Sequence, residues 1–412
     1  MRDAFRLGAK QAAQLIERGE LNAETLVASC RERIAEREPR VRAWTHLATE
    51  WPAARNARAP LYGLPVGVKD IFDTYDMPTE YGSSIYAGYR PRIDAAAVAL
   101  TRRAGGAIMG KTVTAEFATF VPRETRHPLD PSRTPGGSSS GSAAAVADFM
   151  VPLAFGTQTA GSLIRPASYC GIFAYKPTYN VIARAGAKPG ADSLDTVGVY
   201  GRSVEDCAFF AAALTNRPKL EAKIERPPRI GVCRTNEWDH VQPEMRATLD
   251  DVRRRLDADE FELPGHFRGL RESHTAILWY EVARSMADEF TRFPEQLDPA
   301  LRQRCADGFA LKPDEYVRAQ QHAAECRAHF AGALGDYDVI VAPAATGEAP
   351  KGLASTGDVA MNVVWTLLHV PCVAVPAGKS PSGMPLGVQV IGRIGDDART
   401  LACAAWIAER LA

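Results

Sequence analysis

No surplus of charge marks this chain: 49 Lys and Arg side chains face 49 Asp and Glu, for a net charge of +0. Neither half is strongly basic or acidic, so the electrostatic footprint of a nucleic-acid or anionic-membrane binder is missing. A small neutral or singly charged ligand fits better. Long apolar runs are missing too. No stretch approaches about 18 consecutive apolar residues, and the N-terminal "MRDAFRLGAKQAAQLIERGE" scatters charges where a signal peptide needs an unbroken apolar core. A soluble, cytoplasmic chain is the expectation. Paired cysteines are also absent: the 8 cysteines, from Cys30 to Cys403, form no CxxC and read as reduced, buried thiols. The nearest thing to a metal pattern, His322, Cys326 and His329 in "QHAAECRAHF", lies on a charged amphipathic helix with no converging carboxylate or cysteine group. Neither a metal nor a cofactor is expected.

What is present is apolar bulk and regular alternation. With 412 residues, 46% of them hydrophobic, the chain is long enough to bury a large core. The first forty residues read as two helices joined at "GELNAETL", where Asn22 is placed to cap and Glu24 falls in the first turn. Strands are expected at 62–70 ("YGLPVGVKD"), in "GAIMGKT", at 150–157, at 228–234, in "YDVIVAPA" and in "VPCVAVPAG". Helices are expected at 94–105, 242–257, 273–288 and 313–334. Such alternation indicates an α/β sheet with helices on both faces. The only credible hinge is "NRPKLEAKIERPP" at 216–228.

One stretch is unlike the rest. From Gly136 onward, every residue of "TPGGSSSGSAAAVA" (134–147) except Val146 is Gly, Ser or Ala. A flexible linker would be flanked by polar sequence, whereas this run passes into helix formers and then an apolar strand. A phosphate loop of the GxxxxGK[ST] type needs a lysine that does not follow here. What remains is a tight turn whose glycines let backbone approach a ligand while serine hydroxyls and helix N-terminal amides face it. A second segment, "FGTQTAGSLIRPASYCG" (155–171), repeats the design: a strand, a Gly and Ser turn, then a helix. Two such turns can face one cleft.

Together with "YGLPVGVKDIFDT", "STGDVAMNVVWTLLHVPCVAVP" and "GMPLGVQVIG", these segments resemble the amidase signature family, serine amidases that use a Ser, Ser, Lys triad. The resemblance covers most of the chain. It implies the family's α/β fold, a large mixed central sheet covered by helices on both faces, as a single domain over 1–412. In that reading helices occupy about 1–40, the catalytic core about 60–215, and a C-terminal part about 228–412 completes the same sheet. Overall length and the form of the central segment look most like the malonamidase branch, whose members hydrolyse the amide of malonamate.

Carried over residue by residue, the family pattern makes Ser162 the nucleophile, Ser138 the bridging serine and Lys69 the base. An arbitrary lysine is more often a surface group or, here, a partner of Asp70; the constellation is what singles Lys69 out. A lysine acts as a base only as the neutral amine, and bringing its pKa from about 10.4 to about 7 takes roughly 4.6 kcal/mol of ammonium destabilisation. Backbone N–H groups of Thr159, Ala160, Gly161 and Ser162 would form the oxyanion hole. Gln158 stands where the family frequently has Asp. Arg165 follows Ser162 by three residues, the register with which malonamidases bind a substrate carboxylate, so a two-armed fork onto a carboxylate one or two carbons from the amide is expected. Ser139, Ser140 and Ser142 read as helix-capping or supporting groups. Trp365 and His369 read as core as readily as pocket.

The resemblance implies hydrolysis of a small linear amide, malonamate above all, through an acyl-enzyme. The alternatives are a broad-specificity amidase for neutral amides and the glutaminase-type subunit of a tRNA-dependent amidotransferase; an intact Ser162, Ser138 and Lys69 argues against a non-catalytic scaffold. The partner expected is a small amide, with no nucleic acid and no membrane. A homodimer is compatible with the sequence, since an apolar helix face for a dimer reads like one for the core.

Overall fold

The computed structural model describes residues 3–50 and 59–412; residues 1 and 2 of the expected N-terminal helical segment lie outside these. The strands are β1 (Trp44–Leu47), β2 (Pro65–Lys69), β3 (Ala107–Thr112), β4 (Leu153–Gln158), β5 (Phe173–Lys176), β6 (Thr196–Gly201), β7 (Ile230–Cys233), β8 (Asp259–Phe261), β9 (Val339–Pro343), β10 (Cys372–Lys379) and β11 (Pro385–Ile391). They form one 11-stranded sheet in the order β1-β3-β2-β4-β6-β5-β10-β11-β9-β7-β8. It is mixed: β2 runs parallel to β3 and β4, whereas β4 and β6, β5 and β10, and β10 and β11 pair antiparallel. Every residue of β2, β3, β4, β6, β9 and β11 is buried. Because alternate strand residues point to opposite faces, burial of all of them means that both faces are covered.

The expected elements lie close to their sequence positions. Asn22 caps the helix Ala23–Val41 by accepting the Thr25 N–H at 2.7 Å. Helices also form at Ala96–Arg103, Pro243–Leu256 and Pro313–Leu334. The helix expected at 273–288 is instead Leu270–Ser285, broken at Met286 and followed by Ala287–Arg292. Five strands, β1, β5, β6, β8 and β11, go beyond the sequence expectation. Three of them are only three or four residues long, too short for a periodic signal. Strands from both sides of 216–228 share the sheet, joined where β10 pairs with β5.

The parallel run β3-β2-β4 positions the site. Lys69 ends β2 and Gln158 ends β4, so the carboxyl ends of neighbouring parallel strands open toward one crevice, the usual location of sites in such sheets. The helix Ser140–Ala147 is seated against β3 by Gly141, whose N–H donates to Val113 O at 3.0 Å. A Cβ there would lie 2.2 Å from Ala43 O, so only glycine permits the approach.

Candidate active site

Lys69 is fully buried. Its Nζ lies 2.8 Å from Ser138 Oγ and 2.6 Å from Thr157 Oγ1. Asp70, the carboxylate next in sequence, is turned to Lys111 at 2.9 Å, so among the described residues Lys69 has no ion-pair partner. Burial without a counter-charge pushes its pKa down to about 7, and the more distant Asp195 offsets this only in part.

Ser138 follows a cis peptide from Gly137 and is itself buried. Its backbone is tied on both sides: Ser138 O accepts the Ala115 N–H at 3.0 Å, and Ser139 N–H donates to Ser162 O at 3.3 Å. Thus the two Gly and Ser turns meet through backbone. The Ser162 hydroxyl makes no hydrogen bond to a described residue. Ser162 lines a cavity of about 710 Å³ together with Thr157, whose hydroxyl meets the Lys69 amine. Ser139 occupies the N-cap position of the helix Ser140–Ala147, yet its hydroxyl does not cap it. It accepts the Thr157 N–H at 3.3 Å instead, while Ser142 Oγ contacts Thr112 Oγ1 and donates to Phe155 O at 2.7 Å. These serines bind helix to strand.

The turn after β4 has its carbonyls pinned. Thr159 O accepts from His274 Nε2 at 2.8 Å, Ala160 O from Thr366 Oγ1 at 2.7 Å, Gly161 O from Arg165 N at 3.1 Å, and Ser162 O from Ser139 N. The amide nitrogens of Thr159, Ala160, Gly161 and Ser162 donate to no described acceptor. Gln158 fixes the turn from beneath: its Oε1 accepts from Leu163 N and Ile164 N at 3.2 and 3.0 Å, and its Nε2 donates to Thr366 Oγ1. An aspartate could accept at that helix start but could not also donate to Thr366.

Arg165 is buried beside the same cavity, and burial pulls its pKa down. Its Nε donates to Thr356 O at 2.9 Å and its Nη2 to Gly137 O at 2.7 Å, while Nη1 has no partner. The two-armed fork expected of it is therefore not free in this arrangement. Two of the three nitrogens already tie the 356 loop to the peptide before Ser138, and a carboxylate would meet Nη1 alone.

The other cationic side chains on the cavity wall include Arg184, Lys188 and Arg271, which pair with Asp192, Glu289 and Glu237. Phe117, Phe120, Leu278, Trp279 and Val282 form an apolar wall, with Phe120 edge-on to Trp279 at 5.8 Å. Trp365 is core, and His369 stacks on Tyr179. His322, Cys326 and His329 each contact helix or loop groups rather than one another, and among the described residues no group of three or more potential ligands could hold a metal. The residues that sequence reasoning missed are Thr157, Asp195, His274 and Thr366. Only Thr157 left a signal, as a hydroxyl near the end of the strand beside β2.

This fold and this pocket define an amide-cleaving enzyme, and the chain belongs to the amidase family, whose profile matches residues 25–401. It is an amidohydrolase that acts on C–N bonds. Among curated proteins it is similar to a glutamyl-tRNA(Gln) amidotransferase subunit from Roseiflexus castenholzii, at 34% identity over 96% of this chain and 94% of that one. Among solved structures it is similar to an amidase at 29% identity (TM-score 0.90, 98% of this chain, 100% of that one). The corresponding glutamyl-tRNA(Gln) amidotransferase subunit from Thermotoga maritima is similar at 26% identity (TM-score 0.82, 98% and 94%).

Proposed function

We propose that this enzyme hydrolyses a primary amide by acyl transfer at Ser162, releasing ammonia. The observation that carries the reading is the buried amine of Lys69, 2.8 Å from Ser138 Oγ, with its pKa lowered to about 7 and no carboxylate to hold its proton. Neutral Lys69 takes a proton from Ser138 as Ser138 takes one from Ser162, and Ser162 Oγ forms a bond to the amide carbon. The N–H groups of Thr159, Ala160, Gly161 and Ser162 stabilise the resulting oxyanion. The proton returns through Ser138 to the leaving nitrogen, the C–N bond breaks, and water releases the acid by the same relay.

The substrate is an amide whose acyl part is apolar and larger than that of malonamate. A cavity of about 710 Å³ is of a size that takes a drug-sized ligand, and its Phe120 and Trp279 wall favours an aryl or branched group. Malonamate finds no support in the relatives, and the engaged Nε and Nη2 of Arg165 weaken the argument for it. A second reading, release of ammonia from glutamine within an amidotransferase complex, is favoured by the curated relatives at 30–34% identity.

Ammonia release from phenylacetamide, butyramide, malonamate and glutamine separates these readings. Preference for phenylacetamide supports the apolar-acyl reading. Preference for glutamine, with copurifying partner chains, supports the second; preference for malonamate would restore Arg165 as a carboxylate clamp. No release from any of them, with Ser162 unlabelled by a fluorophosphonate, would remove the acyl-transfer reading.

A further inference from the structure

His274 lies more than a hundred positions from the turn it touches, on the helix Leu270–Ser285. It is buried, and its Nε2 sits 2.8 Å from Thr159 O. A carbonyl oxygen only accepts, so the ring must carry its proton on Nε2. Burial lowers its pKa to about 4, so the ring is neutral at ordinary pH and Nδ1 bears no proton.

The consequence follows from peptide geometry. In a trans peptide the C=O and the following N–H point to opposite edges of one plane. Fixing Thr159 O against His274 therefore turns the Ala160 N–H the other way. Fixing Ala160 O against Thr366 Oγ1 does the same for the Gly161 N–H. Neither amide has an acceptor among the described residues, and Thr159, Ala160 and Ser162 all line the cavity. Asn362 and Arg165 crowd this turn closely enough that a Cβ at position 161 would lie 2.5 Å from Asn362 Oδ1, so no side chain fits there. Without the His274 donor, Thr159 O would be left unpaired. The Thr159–Ala160 peptide would then lose its anchor, and its rotation would point a carbonyl dipole where N–H is needed.

We propose that His274 is a positioning residue for catalysis: as a neutral Nε2–H donor it holds the Thr159–Ala160 peptide so that its amide faces the developing oxyanion, with Thr366 performing the same service one peptide later. This rests on the acyl-transfer reading of Ser162. The donor contributes to the transition state and little to binding the ground-state amide.

The test compares His274→Leu, which keeps bulk without a donor, with His274→Gln, which restores an N–H, on the primary amide that turns over best. For His274→Leu the expected result is a kcat lower by about 100-fold with KM within about threefold. An arylboronic acid, whose serine adduct carries the oxyanion, should lose affinity in parallel, and His274→Gln should recover most of both losses. Should the Leu variant fail to fold, Thr366→Val against wild type carries the same kcat and KM comparison. An unchanged kcat, a change confined to KM, or a Gln variant no better than Leu would overturn the inference. Fluorophosphonate labelling of Ser162 in the wild type separates the two layers. Labelling with an unaffected His274→Leu variant sinks only the positioning role, and absence of labelling sinks the acyl-transfer reading beneath it.

Discussion

In the proposed mechanism Lys69 is the residue on which the chemistry turns, because its neighbours withhold what a buried ammonium needs. Asp70 is spent on Lys111, and the two groups at Nζ are hydroxyls. Turnover should therefore rise with pH through an apparent pKa near 7 as Lys69 loses its proton, and a pH–rate profile of kcat/KM reads this directly. An acid limb centred on an ordinary carboxylate value would point to another base. The same depression affects stability. Unfolding returns Lys69 to about 10.4, so the unfolded chain binds the extra proton between the two values, and the stability contributed by this residue rises with pH across that window. Below pH 7 the full burial cost is present. Urea titrations of wild type and Lys69→Met should show the wild-type deficit shrinking by roughly 1.4 kcal/mol per pH unit between about 7 and about 10.4, while the variant loses turnover at every pH. Ser162→Ala should lower kcat by about four orders of magnitude or more and leave the unfolding midpoint near wild type, since no described residue depends on that hydroxyl.

At the scale of elements, the site is a set of joints between strand ends and helix starts. Gln158 ends β4 and accepts from the first amides of the helix Ile164–Cys170 while reaching Thr366 on Val363–Leu367. Gln158→Ala removes the acceptor and should destabilise the fold by about 1–2 kcal/mol, with a larger fractional loss in kcat than in substrate affinity. Chemical denaturation and steady-state kinetics on one preparation give both numbers. The seat of the helix Ser140–Ala147 is less forgiving. In Gly141→Ala the new methyl meets the Ala43 and Val113 backbone, so a loss of about 3 kcal/mol or insoluble protein is expected. These elements also show where sequence reading stops. Pattern located β2, β3, β4, β7, β9 and β10, because their apolar runs are bounded by turn signals. It missed β6 and β11 as well as β1, β5 and β8, and the last three have only three or four residues each, which form strands because the sheet supplies partners on arrival.

For the whole molecule, the cavity is assembled from segments far apart in the chain, from Ile71 to Val363. Its apolar wall comes partly from the helix Leu270–Ser285, whose sequence offers no motif. Trp279→Ala should lower kcat/KM for phenylacetamide by about tenfold or more while changing that for a two-carbon amide little, because only the longer acyl group reaches the wall. Competition kinetics with paired substrates measures the ratio, and equal losses on both would place Trp279 in the scaffold alone.

The sequence by itself determined the family, the alternation of strands and helices, and the identities of Lys69, Ser138 and Ser162 as candidates, because two small-residue turns of fixed wording sit beside strands that can be read locally. The roles of the surroundings were decided only by the tertiary structure. Which carboxylate Lys111 takes, which carbonyls occupy Arg165, and that His274 and Thr366 reach the turn after β4 are matters of contact between residues distant in sequence. Those contacts arise when sheet and helices close on one another and exclude water. A hydrogen bond or a lowered pKa depends on that exclusion, and no local pattern encodes it.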